Sequence, residues 1–355
     1  MKVLIVADGL ISGNSDKTDP GWYMHLTLDD LGISHELFYH SGFGSARGLS
    51  NALNLAWKYV RRKSYSRLID GAAGADRRLL SLVRQGQPAL IIVYKGRLLR
   101  RAVIEEMRRV CPTAKIVYMT YDNIFYNPNA LLSADAYDVC YLADSYMIEK
   151  MKRLGCRQAA FMPEACYPKA YMPLTDITPE ERQRYSCDVS MVGSLYPYRL
   201  KMLEALEGVD FRMWGNLSEF LSAEDFERSF VYARHQRRAV HGRAKTLIFN
   251  LSKVNLTTLQ PRECICSGNT RIHQVAACGA FQLVEYNADL ERCYTLGSEL
   301  MTFKGRDELR ELVEYYLRNE SERNAIARRA QDRALRDHTF ECRIKQMAQD
   351  VGISL

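Results

Sequence analysis

Short apolar runs alternate with helix-like segments along the whole chain, and this alternation restricts the possible folds more than any other feature. The first group of runs is Lys2–Asp8, His35–His40, Ala89–Tyr94, Lys115–Tyr121, Val139–Asp144 and Ala159–Ala165. The second group is Asp188–Gly193, Phe211–Gly215, Lys253–Leu259, Ala280–Tyr286 and Glu299–Phe303. Parallel neighbours in a sheet need a long crossover, usually a helix. The alternation therefore predicts an α/β chain with two doubly wound parallel sheets.

A proline-rich polar stretch separates the two groups of strands. Its prolines are Pro163, Pro168, Pro173 and Pro179, and the residues between them show no apolar periodicity. Such a composition is typical of an interdomain linker. We therefore predict an N-terminal domain at residues 1–165, a linker at 166–186 and a C-terminal domain at 187–338. Thr339 can cap a last helix, and residues 339–355 are expected to pack back on the N-terminal domain.

The composition is that of a globular protein. The chain has 355 residues, 47% of them hydrophobic, which suffices for two cores of ordinary size. No apolar run approaches the ~20 residues that cross a bilayer, and the first residues lack the pattern of a signal peptide, so a cytoplasmic location is expected. The 10 cysteines include no CxxC pair, which predicts reduced thiols without a disulfide framework or a zinc site.

The stretch Ser267–Tyr286 has the pattern of a loop, a helix and a strand. Asn269 or Thr270 can cap the first free amides of the helix, and Gly279 suits a left-handed stop. Free N–H groups and the positive dipole end of a helix favour phosphate, and Arg271 adds a charged fork that matches phosphate oxygens. The stretch therefore predicts a phosphate site, with an ordinary αβ crossover and a solvated arginine as the alternative.

Several motifs of the chain are shared with a known family. The C-terminal ones are Asn269–Glu285, Asp289–Leu290, Gly297–Glu299 and His338–Phe340 with Arg343. Those upstream are Val189–Arg199, Arg212–Asn216 and Ser252–Thr258, with weaker ones at Tyr121–Phe125 and Ala159–Pro168. As a set they resemble the CgeB-like, spore-maturation type glycosyltransferases of the GT-B superfamily. The resemblance implies two Rossmann-like domains whose parallel sheets face a central cleft.

The same resemblance implies a hexosyltransferase-like reaction, in which a sugar passes from a nucleotide diphosphate donor to a hydroxyl acceptor. The N-terminal domain would bind the acceptor, which is a glycan, a lipid-linked glycan or a protein. The C-terminal domain would bind the nucleotide sugar. A role in bacterial surface or envelope glycan assembly fits this activity. The alternative is a maturation or interaction protein that binds a nucleotide sugar without turnover.

The predicted donor site follows the carboxyl ends of the second group of strands, because ligands of doubly wound sheets bind at that edge. By resemblance, the first glycine turn of this domain faces the diphosphate, and the nucleotide base lies near the end of the next strand. The predicted residues are Gly193, Ser194, Arg199, Trp214, Gly215, Asn216, Lys253, Asn269, Arg271 and Glu285. The alternatives are a plain tight turn at Gly193, a core position for Trp214, and solvated side chains for Lys253 and Glu285.

One position departs from the pattern of related families. They carry an aromatic residue and a glutamate near this helix start, and a second carboxylate or amide eight positions after the glutamate. Here His273 replaces the aromatic residue, and the pair is Gln274 and Gln282. An amide binds sugar hydroxyls but cannot act as a base. We expect all three side chains at the donor sugar, with a packed histidine as the alternative for His273.

The catalytic base is expected in the N-terminal domain, at a strand end or on the first helix. Asp8, His25 and Asp122 are the candidates if the reaction inverts configuration, and no such base is necessary if it retains configuration. The chain contains no Asp-x-Asp, the usual metal–diphosphate clamp of the other glycosyltransferase fold. We therefore predict metal-independent catalysis without a cofactor, in which helix ends, arginine and lysine bind the diphosphate.

Basic residues are dense from Lys58 to Arg109, where Tyr59, Tyr65 and Tyr94 interleave with them, and the net charge of the chain is +7. Such a segment suits an anionic acceptor, a lipid-linked glycan at the inner membrane face, or nucleic acid. The charges are spread over several elements, so solvated helix faces are the preferred interpretation. Peripheral contact with the inner membrane stays an expectation, whereas nucleic acid is not expected as a partner.

Overall fold

The computed structural model describes residues 2–8, 19–40 and 72–355. The chain divides into two compact units. The first unit is Met1–Met162 together with Ile344–Leu355, and the second is Pro163–Arg343. In its described residues, each unit contains one parallel sheet, with helices between its strands.

The described part of the first unit has a six-stranded sheet. Its strands are β1 (Lys2–Asp8), β2 (Ser34–His40), β3 (Leu90–Tyr94), β4 (Lys115–Thr120), β5 (Val139–Leu142) and β6 (Ala159–Phe161). Their spatial order is β2-β1-β3-β4-β5-β6, and every pair is parallel. Asp8 is opposite His40 in the register of β1 and β2, so these two residues lie together at the carboxyl edge of the sheet.

The central strands of this sheet are apolar on both faces, as expected for parallel strands with crossover helices on either side. On one face, Leu4 and Val6 of β1 belong to the same buried cluster as Ile91 and Val93 of β3 and as Met107. Burying an aliphatic side chain of this size stabilises the fold by roughly 1.5–3 kcal/mol relative to leaving it exposed. Continuous apolar runs in the sequence are therefore the cause of the central strands.

The helices of the first unit fill the crossovers. Those in the described residues are Pro20–Asp30, Ala73–Gly86, Arg101–Val110, Pro128–Leu132 and Tyr146–Arg153, with 3-10 turns at Ile124–Tyr126 and Ala134–Ala136. Helix Pro20–Asp30 follows Asp19, whose side chain accepts a hydrogen bond from the Trp22 amide. An aspartate cap followed by proline is a strong start signal for a helix.

The sheet of the second unit has five strands. They are β7 (Cys187–Val192), β8 (Phe211–Trp214), β9 (Ser252–Thr257), β10 (Gln282–Glu285) and β11 (Met301–Phe303). Their spatial order is β11-β10-β9-β7-β8, and every pair is parallel. The order reverses at β7, which lies between β8 and β9. In open α/β sheets, ligands bind outside the carboxyl ends of the strands at such a reversal.

The helices of the second unit alternate with these strands. They are Pro179–Tyr185, Pro197–Leu203, Ala223–Arg228, Val231–Arg234, Gly242–Leu251, Thr270–Ala277, Leu290–Cys293, Arg306–Arg318 and Glu320–Asp337, with a 3-10 turn at Glu204–Leu206. The last two of them are the charged helices that the sequence indicates between Arg306 and Asp337.

The stretch 166–186, interpreted above as a linker, is packed into the second unit. It contains helix Pro179–Tyr185, which starts with a capping box of Thr178 and Glu181. The Leu174 amide donates to the side chain of Asn250. The backbone of Cys166 forms an isolated parallel β-bridge with that of Thr339. Proline at the first position of a helix is a start signal, so Pro179 marks the beginning of a helix here and not a linker.

The C-terminal helix, Phe340–Asp350, begins in the second unit, and its residues from Ile344 onward belong to the first. Within the first unit, the Tyr141 hydroxyl donates to the carboxylate of Asp350 at 2.9 Å. This contact joins the end of the chain to β5.

The prediction of an α/β fold with two parallel sheets is confirmed. Each apolar run interpreted as a strand contains one, although β6 ends at Phe161 and β11 begins at Met301. Residues 9–18 and the basic residues from Lys58 to Arg67 lie outside the described residues. Within the described ranges, no helix combines the length and the apolar character needed to span a bilayer.

Candidate functional site

Two glycines form the turns at the carboxyl ends of β7 and β8. Gly193 and Gly215 have φ angles of +151° and +159°. The Gly193 amide donates to the Trp214 carbonyl at 2.8 Å, and a Cβ on Gly215 would collide with the Gly193 carbonyl. The space that a Cβ on Gly193 would need is occupied by the guanidinium groups of Arg271 and Arg199. Glycine is therefore required at both positions.

Arg199 lies on helix Pro197–Leu203, immediately after the Gly193 turn, and is only 4% exposed. Its Nε donates to the Thr258 hydroxyl at 2.7 Å, its Nη2 to the Thr258 carbonyl at 2.8 Å, and its Nη1 to the Ser194 carbonyl. The Tyr196 ring packs against the guanidinium, with 4.3 Å between its centre and the guanidinium carbon. These partners are neutral, so a positive charge is held at the carboxyl edge.

Arg271 is in the first turn of helix Thr270–Ala277, and its guanidinium lies against Gly193. Its Nε and Nη1 are buried and have no hydrogen-bond partner among the described residues. Burial, followed by the charge of Arg199, lowers the pKa of Arg271 to about 9. A buried charged donor without a partner raises the free energy of the folded state. Arg271 therefore has unused donors for an anionic ligand.

Lys245, on helix Gly242–Leu251, is a third basic residue of this region, and it is not among the residues predicted from the sequence. Its Nζ donates to Oε1 of Gln274 at 2.7 Å and lies 5.5 Å from the centre of the Tyr171 ring. Burial and then the charge of Arg271 lower the pKa of Lys245 to about 7. The only signal in the sequence is a lysine one residue before a buried apolar run, which by itself indicates no ligand.

Arg199, Lys245 and Arg271, which we call the basic cluster, extend from three helices of the second unit. The charge of Arg271 lowers the pKa of Lys245, and the charge of Arg199 lowers that of Arg271. Like charges held together in this way destabilise the free protein, and strongly shifted pKa values concentrate at functional sites. A diphosphate would supply the missing negative charge, with a two-pronged contact from arginine and a point charge from lysine.

The helix start beside Arg271 has the predicted form. Asn269 is its N-cap, and the Asn269 side chain accepts a hydrogen bond from the Arg271 amide at 3.1 Å. Gly279 follows the helix with a φ of +64°, the left-handed conformation that the sequence indicates. The positive end of the helix dipole therefore lies at the same place as Arg271.

Glu285 is the last residue of β10 and lies at the carboxyl edge. One oxygen of its carboxylate accepts from the Leu259 amide at 2.8 Å, and the other accepts from the Tyr198 hydroxyl. Burial and this hydrogen bond raise the pKa of Tyr198 above its usual value. The pair places a carboxylate and a phenol, both partly exposed, where sugar or ribose hydroxyls can bind.

Lys253 and Gln282 lie near the starts of their strands, away from the carboxyl edge that carries the basic cluster. Lys253 is the second residue of β9, and its Nζ pairs with Asp188, near the start of β7, at 2.8 Å. It therefore lies toward the amino edge of the sheet. Gln282 is the first residue of β10, where its buried amide donates to the Ile272 carbonyl at 2.8 Å. Both residues precede the carboxyl ends of their strands.

His273 and Trp214, both predicted at the donor site, are buried. Nδ1 of His273 lies 2.9 Å from the Tyr294 hydroxyl, and its ring centre is 4.5 Å from that of His338. Burial lowers the pKa of His273 well below its usual value, which keeps the ring neutral. Trp214 is 1% exposed, whereas Asn216, two residues later, is exposed. A nucleotide base at this strand end would contact Asn216 rather than Trp214.

Asp8 is the last residue of β1 and lies at the carboxyl edge of the first sheet. Its Oδ1 accepts from the Arg97 amide at 2.9 Å, and its Oδ2 lies 3.5 Å from Nε of Arg97. Oδ2 has no hydrogen-bond partner in the described part of the chain. Burial raises the pKa of Asp8 despite the opposing effect of Arg97. A carboxylate with a raised pKa and a free oxygen has the properties of a general base.

Asp122 lies after β4, near Asp8, but in a different electrostatic environment. Its Oδ2 is 2.7 Å from Nζ of Lys95 and 2.7 Å from Nη2 of Arg97. Burial opposes its ionisation, but Lys95 and Arg97 together lower its pKa. A carboxylate neutralised by two cations is a poor base. Asp122 holds Lys95 and Arg97 through its ion pairs.

A histidine and an aspartate beside Asp8 were missed by the sequence analysis. His40 ends β2 opposite Asp8, and its Nε2 donates to Oδ1 of Asp76 at 2.7 Å. Arg100 donates to the other oxygen of Asp76, also at 2.7 Å. Nδ1 of His40 is buried without a hydrogen-bond partner among the described residues. In the sequence, His40, like Asp8, is the last residue of a run that predicts a strand. This position is the signal that could have identified His40.

His25, the remaining candidate base, is separated from these groups within the first unit. It lies on helix Pro20–Asp30, and its Nδ1 is 2.6 Å from Nε2 of His35. His35 is opposite Val3 in the register of β1 and β2. His25 is therefore at the amino edge of the sheet, whereas Asp8 and His40 are at the carboxyl edge.

A family model described as glycosyl transferase-like matches residues 199–349. The matched segment begins at Arg199 and includes Lys245 and Arg271, so it contains the whole basic cluster. No curated protein matches the chain.

Solved structures of low sequence identity share the fold over the whole chain. Sucrose-phosphate synthase from Thermosynechococcus elongatus has a TM-score of 0.68 at 8% identity, with 99% of both chains covered. HepE from Anabaena, in complex with UDP and glucose, has a TM-score of 0.64 at 12% identity, again with 99% of both covered. The E. coli trehalose-6-phosphate structure with UDP-2-fluoro glucose has a TM-score of 0.65 at 13% identity and covers 100% of both chains.

These likenesses define the class of fold. The chain has the GT-B fold of the glycosyltransferases, an α/β architecture with two parallel sheets. Its basic cluster lies in the segment that matches the glycosyl transferase-like family.

Proposed function

We propose that the protein is a glycosyltransferase that moves a hexose from a nucleotide diphosphate donor to a hydroxyl acceptor. The observation that carries this proposal is Arg271, with two buried and unpartnered nitrogens among the described residues, at the start of a helix and beside Lys245 and Arg199. A diphosphate is the ligand class that these groups fit best, because it offers two charged phosphates to a fork, a point charge and a helix end.

The fold and the family segment support a transferase. Three structures of HepE with this fold contain UDP, UDP with glucose, or UDP-glucose, and another similar structure contains UDP-2-fluoro glucose. We infer that UDP is the nucleotide of the donor here as well. The exposed Asn216 at the end of β8 is our candidate for contact with the base, and the pair of Glu285 and Tyr198 is our candidate for contact with ribose or sugar hydroxyls.

For the acceptor, we assign two proton-accepting groups of the first unit. Oδ2 of Asp8 has no hydrogen-bond partner in the described residues, and Nδ1 of His40 has none either. Asp76 accepts from Nε2 of His40, which fixes the tautomer whose Nδ1 carries a lone pair. If the reaction inverts configuration, the acceptor proton passes to one of these atoms; Asp8 is preferred because burial raises its pKa.

We further propose that transfer needs no metal ion. The basic cluster, together with the positive end of helix Thr270–Ala277, supplies the charge that a divalent ion supplies elsewhere. A CgeB-like subfamily, a role in bacterial envelope glycan assembly, and a cytoplasmic location at or near the inner membrane face belong to the same proposal. The subfamily and the envelope role rest on the motifs that the chain shares with this family.

The test is a nucleotide panel in two assays. Thermal shift measures stabilisation by UDP, GDP, ADP and TDP, and a second assay measures release of nucleotide diphosphate from the matching sugar donors. We expect UDP and at least one UDP-sugar to raise the melting temperature, and slow donor hydrolysis to release UDP. Failure of every nucleotide diphosphate to stabilise the protein would refute the donor site.

A second candidate function is a protein that binds a nucleotide sugar without turnover. The observation in its favour is that Gln274, at the position of a family carboxylate, is an amide whose oxygen accepts from Lys245. This candidate predicts stabilisation by UDP-sugars, no release of UDP, and no transfer to any acceptor. Donor hydrolysis that is lost in Asp8→Asn would exclude it.

A further inference from the structure

Two histidines and one aspartate form a cluster at the amino edge of the first sheet, away from the proposed transfer chemistry. His25 and Asp29 lie one turn apart on helix Pro20–Asp30, and His35 is the second residue of β2. One ligand atom from each of the three residues lies within 4.8 Å of the other two. We call these residues the His–Asp–His cluster. Their spacing brings three metal-ligand types to one point.

The Ile33 carbonyl fixes the tautomer of His35. Nδ1 of His35 lies 2.7 Å from that carbonyl, so Nδ1 carries the proton and Nε2 keeps its lone pair. This Nε2 faces Nδ1 of His25 at 2.6 Å and Oδ1 of Asp29 at 3.7 Å. A backbone carbonyl behind the ring is the common partner of a metal-ligating histidine, because it orients the ring and raises its basicity.

The hydrogen bonds within the cluster leave one electrostatic conflict. When Nδ1 of His25 donates to His35, Nε2 of a neutral His25 carries a lone pair, yet it lies 3.5 Å from Oδ2 of Asp29. Two electron-rich atoms then face each other, unless a positive charge lies at this point. A divalent ion bound to all three side chains would supply this charge, as would a second proton on His25.

The distances suit a tetrahedral ion. Bonds of about 2.0–2.1 Å in a zinc site place neighbouring ligand atoms roughly 3.3 Å apart. The two contacts of Asp29 with histidine nitrogens, at 3.5 and 3.7 Å, are close to this value. In the free protein Nδ1 of His25 faces His35, whereas Nε2 of His25 faces Asp29, so the partly buried His25 ring must rotate for Nε2 of both histidines to bind the same ion.

We propose that His25, Asp29 and His35 bind one divalent ion of the zinc type. Two imidazoles and a carboxylate favour Zn²⁺ and its neighbours over Mg²⁺ and Ca²⁺, which take oxygen ligands. The side chain of Asp29 is 56% exposed, which gives the ion access and leaves the fourth position to water. The ion joins helix Pro20–Asp30 to β2, an edge strand of the sheet, and so stabilises the first unit.

Trp22 provides an internal reporter for this site. Its ring centre is 4.7 Å from that of His25, so a paramagnetic ion bound to His25 lies close enough to quench Trp22 fluorescence. Co²⁺ and Cu²⁺ are ions of this kind that accept histidine ligands. We expect Cu²⁺ to quench the fluorescence of the wild type saturably. Trp22→Phe should bind the ion but lose most of the quenching.

The experiment compares metal-free wild type, Asp29→Asn and His35→Gln, with Asp30→Asn as the matched control next to the cluster. Circular dichroism verifies folding, and calorimetry with Zn²⁺ under reducing conditions gives stoichiometry and affinity. Wild type and Asp30→Asn should bind one more Zn²⁺ per chain than the cluster variants, or bind it roughly 10- to 100-fold more tightly. The melting temperature of the wild type should rise with Zn²⁺.

Two results would overturn the proposal. One is equal Zn²⁺ stoichiometry and affinity in wild type and in folded Asp29→Asn and His35→Gln. The other is Cu²⁺ quenching that is unchanged in Trp22→Phe together with wild-type Zn²⁺ binding in the cluster variants, which places the ion elsewhere, for example at cysteine thiols.

Discussion

The guanidinium of Arg271 occupies the space that a Cβ on Gly193 would fill. Gly193 follows β7 with a positive φ, and Arg271 lies in the first turn of helix Thr270–Ala277. The turn after the strand therefore packs against the start of the helix. Two other nitrogens of Arg271 have no partner among the described residues. The fit between the two residues therefore fixes where a phosphate can be bound.

Gly193→Ala should weaken UDP binding by about tenfold or more, because its methyl group displaces Arg271 and costs part of a charge-assisted bond worth ~1.5–3 kcal/mol. Gly208→Ala is the control. Gly208 also has a positive φ, +86°, but a Cβ there meets nothing within 4 Å. Both variants should lose about 1–3 kcal/mol of stability from backbone strain. Calorimetry with UDP should separate them, and equal UDP affinities would contradict the assigned role of Gly193.

Arg271→Ala should weaken UDP binding by about 10- to 150-fold, the equivalent of one charge-assisted contact of ~1.5–3 kcal/mol. Arg271→Lys should recover only part of this loss, since a point charge does not reproduce the fork. Without ligand, Arg271→Ala should be at least as stable as wild type, because it removes a poorly solvated charge next to Arg199.

The matched control for Arg271 is Arg243→Ala, also in the second unit. Arg243 is exposed and forms ion pairs with Asp176 and Glu181. Arg243→Ala should leave UDP affinity unchanged and should change stability little, because water screens exposed ion pairs. Wild-type UDP affinity in a folded Arg271→Ala variant would place the diphosphate away from this helix.

Turnover should be independent of divalent metal. The basic cluster provides the positive charge at the diphosphate, so EDTA should leave kcat/KM within about twofold of its value with Mg²⁺. The assay belongs well below the melting temperature, because chelation is expected to remove the stabilising ion from the His–Asp–His cluster. Loss of turnover on chelation that Mg²⁺ or Mn²⁺ restores, without a change in folding, would contradict this prediction.

The fold was predictable because its causes are local. Apolar runs such as Ala89–Tyr94 mark buried parallel strands, and cap and stop residues such as Asn269 and Gly279 mark helix ends. The proline-rich stretch 166–186 was harder, because proline at a helix start and proline in a linker look alike in the sequence. Only the packing of helix Pro179–Tyr185 distinguishes the two.

The site was predictable only in part. Arg199 and Arg271 follow a glycine turn and a helix cap, which are visible signals. Lys245 lies on a helix without any motif, and its role depends on tertiary contacts with Gln274 and with the charge of Arg271. Lys253 looks equivalent to Lys245 in the sequence, but it lies near the start of β9, toward the amino edge of the sheet. The sequence shows that a residue lies near a strand. Whether it lies at the amino or the carboxyl edge of the sheet depends on the register of that strand.

Asp8→Asn should lower kcat strongly, by about 10²-fold or more, if Asp8 accepts the acceptor proton. Asp122→Asn should have a smaller effect that appears mainly in KM, because it loosens Lys95 and Arg97 without removing a base. Steady-state kinetics of both variants gives the comparison. His40→Gln should be measured with them, since a larger loss there than in Asp8→Asn would transfer the role of base to His40.

UDP binding should be accompanied by proton uptake at Lys245. Burial and Arg271 lower the pKa of Lys245 to about 7, so at pH 8 this amine is mainly neutral in the free protein. A diphosphate favours the charged form and raises the pKa again. Calorimetry at pH 8, in buffers of different ionisation enthalpy, should show uptake of about one proton in wild type and close to none in Lys245→Met.

The stability of the free protein should show the same linkage with a defined sign. The pKa of Lys245 is lower in the folded state, about 7, than the ordinary value of 10.5, so the unfolded chain holds the proton more tightly. Stability therefore rises as pH increases from about 7 toward 10.5, and this gain is absent below pH 7. Because Lys245 is partly exposed, we expect wild type to gain about 1–2 kcal/mol relative to Lys245→Met between pH 7 and pH 9. Urea unfolding at the two pH values measures this difference, and a parallel response of the two proteins would mean that Lys245 is charged in the free protein.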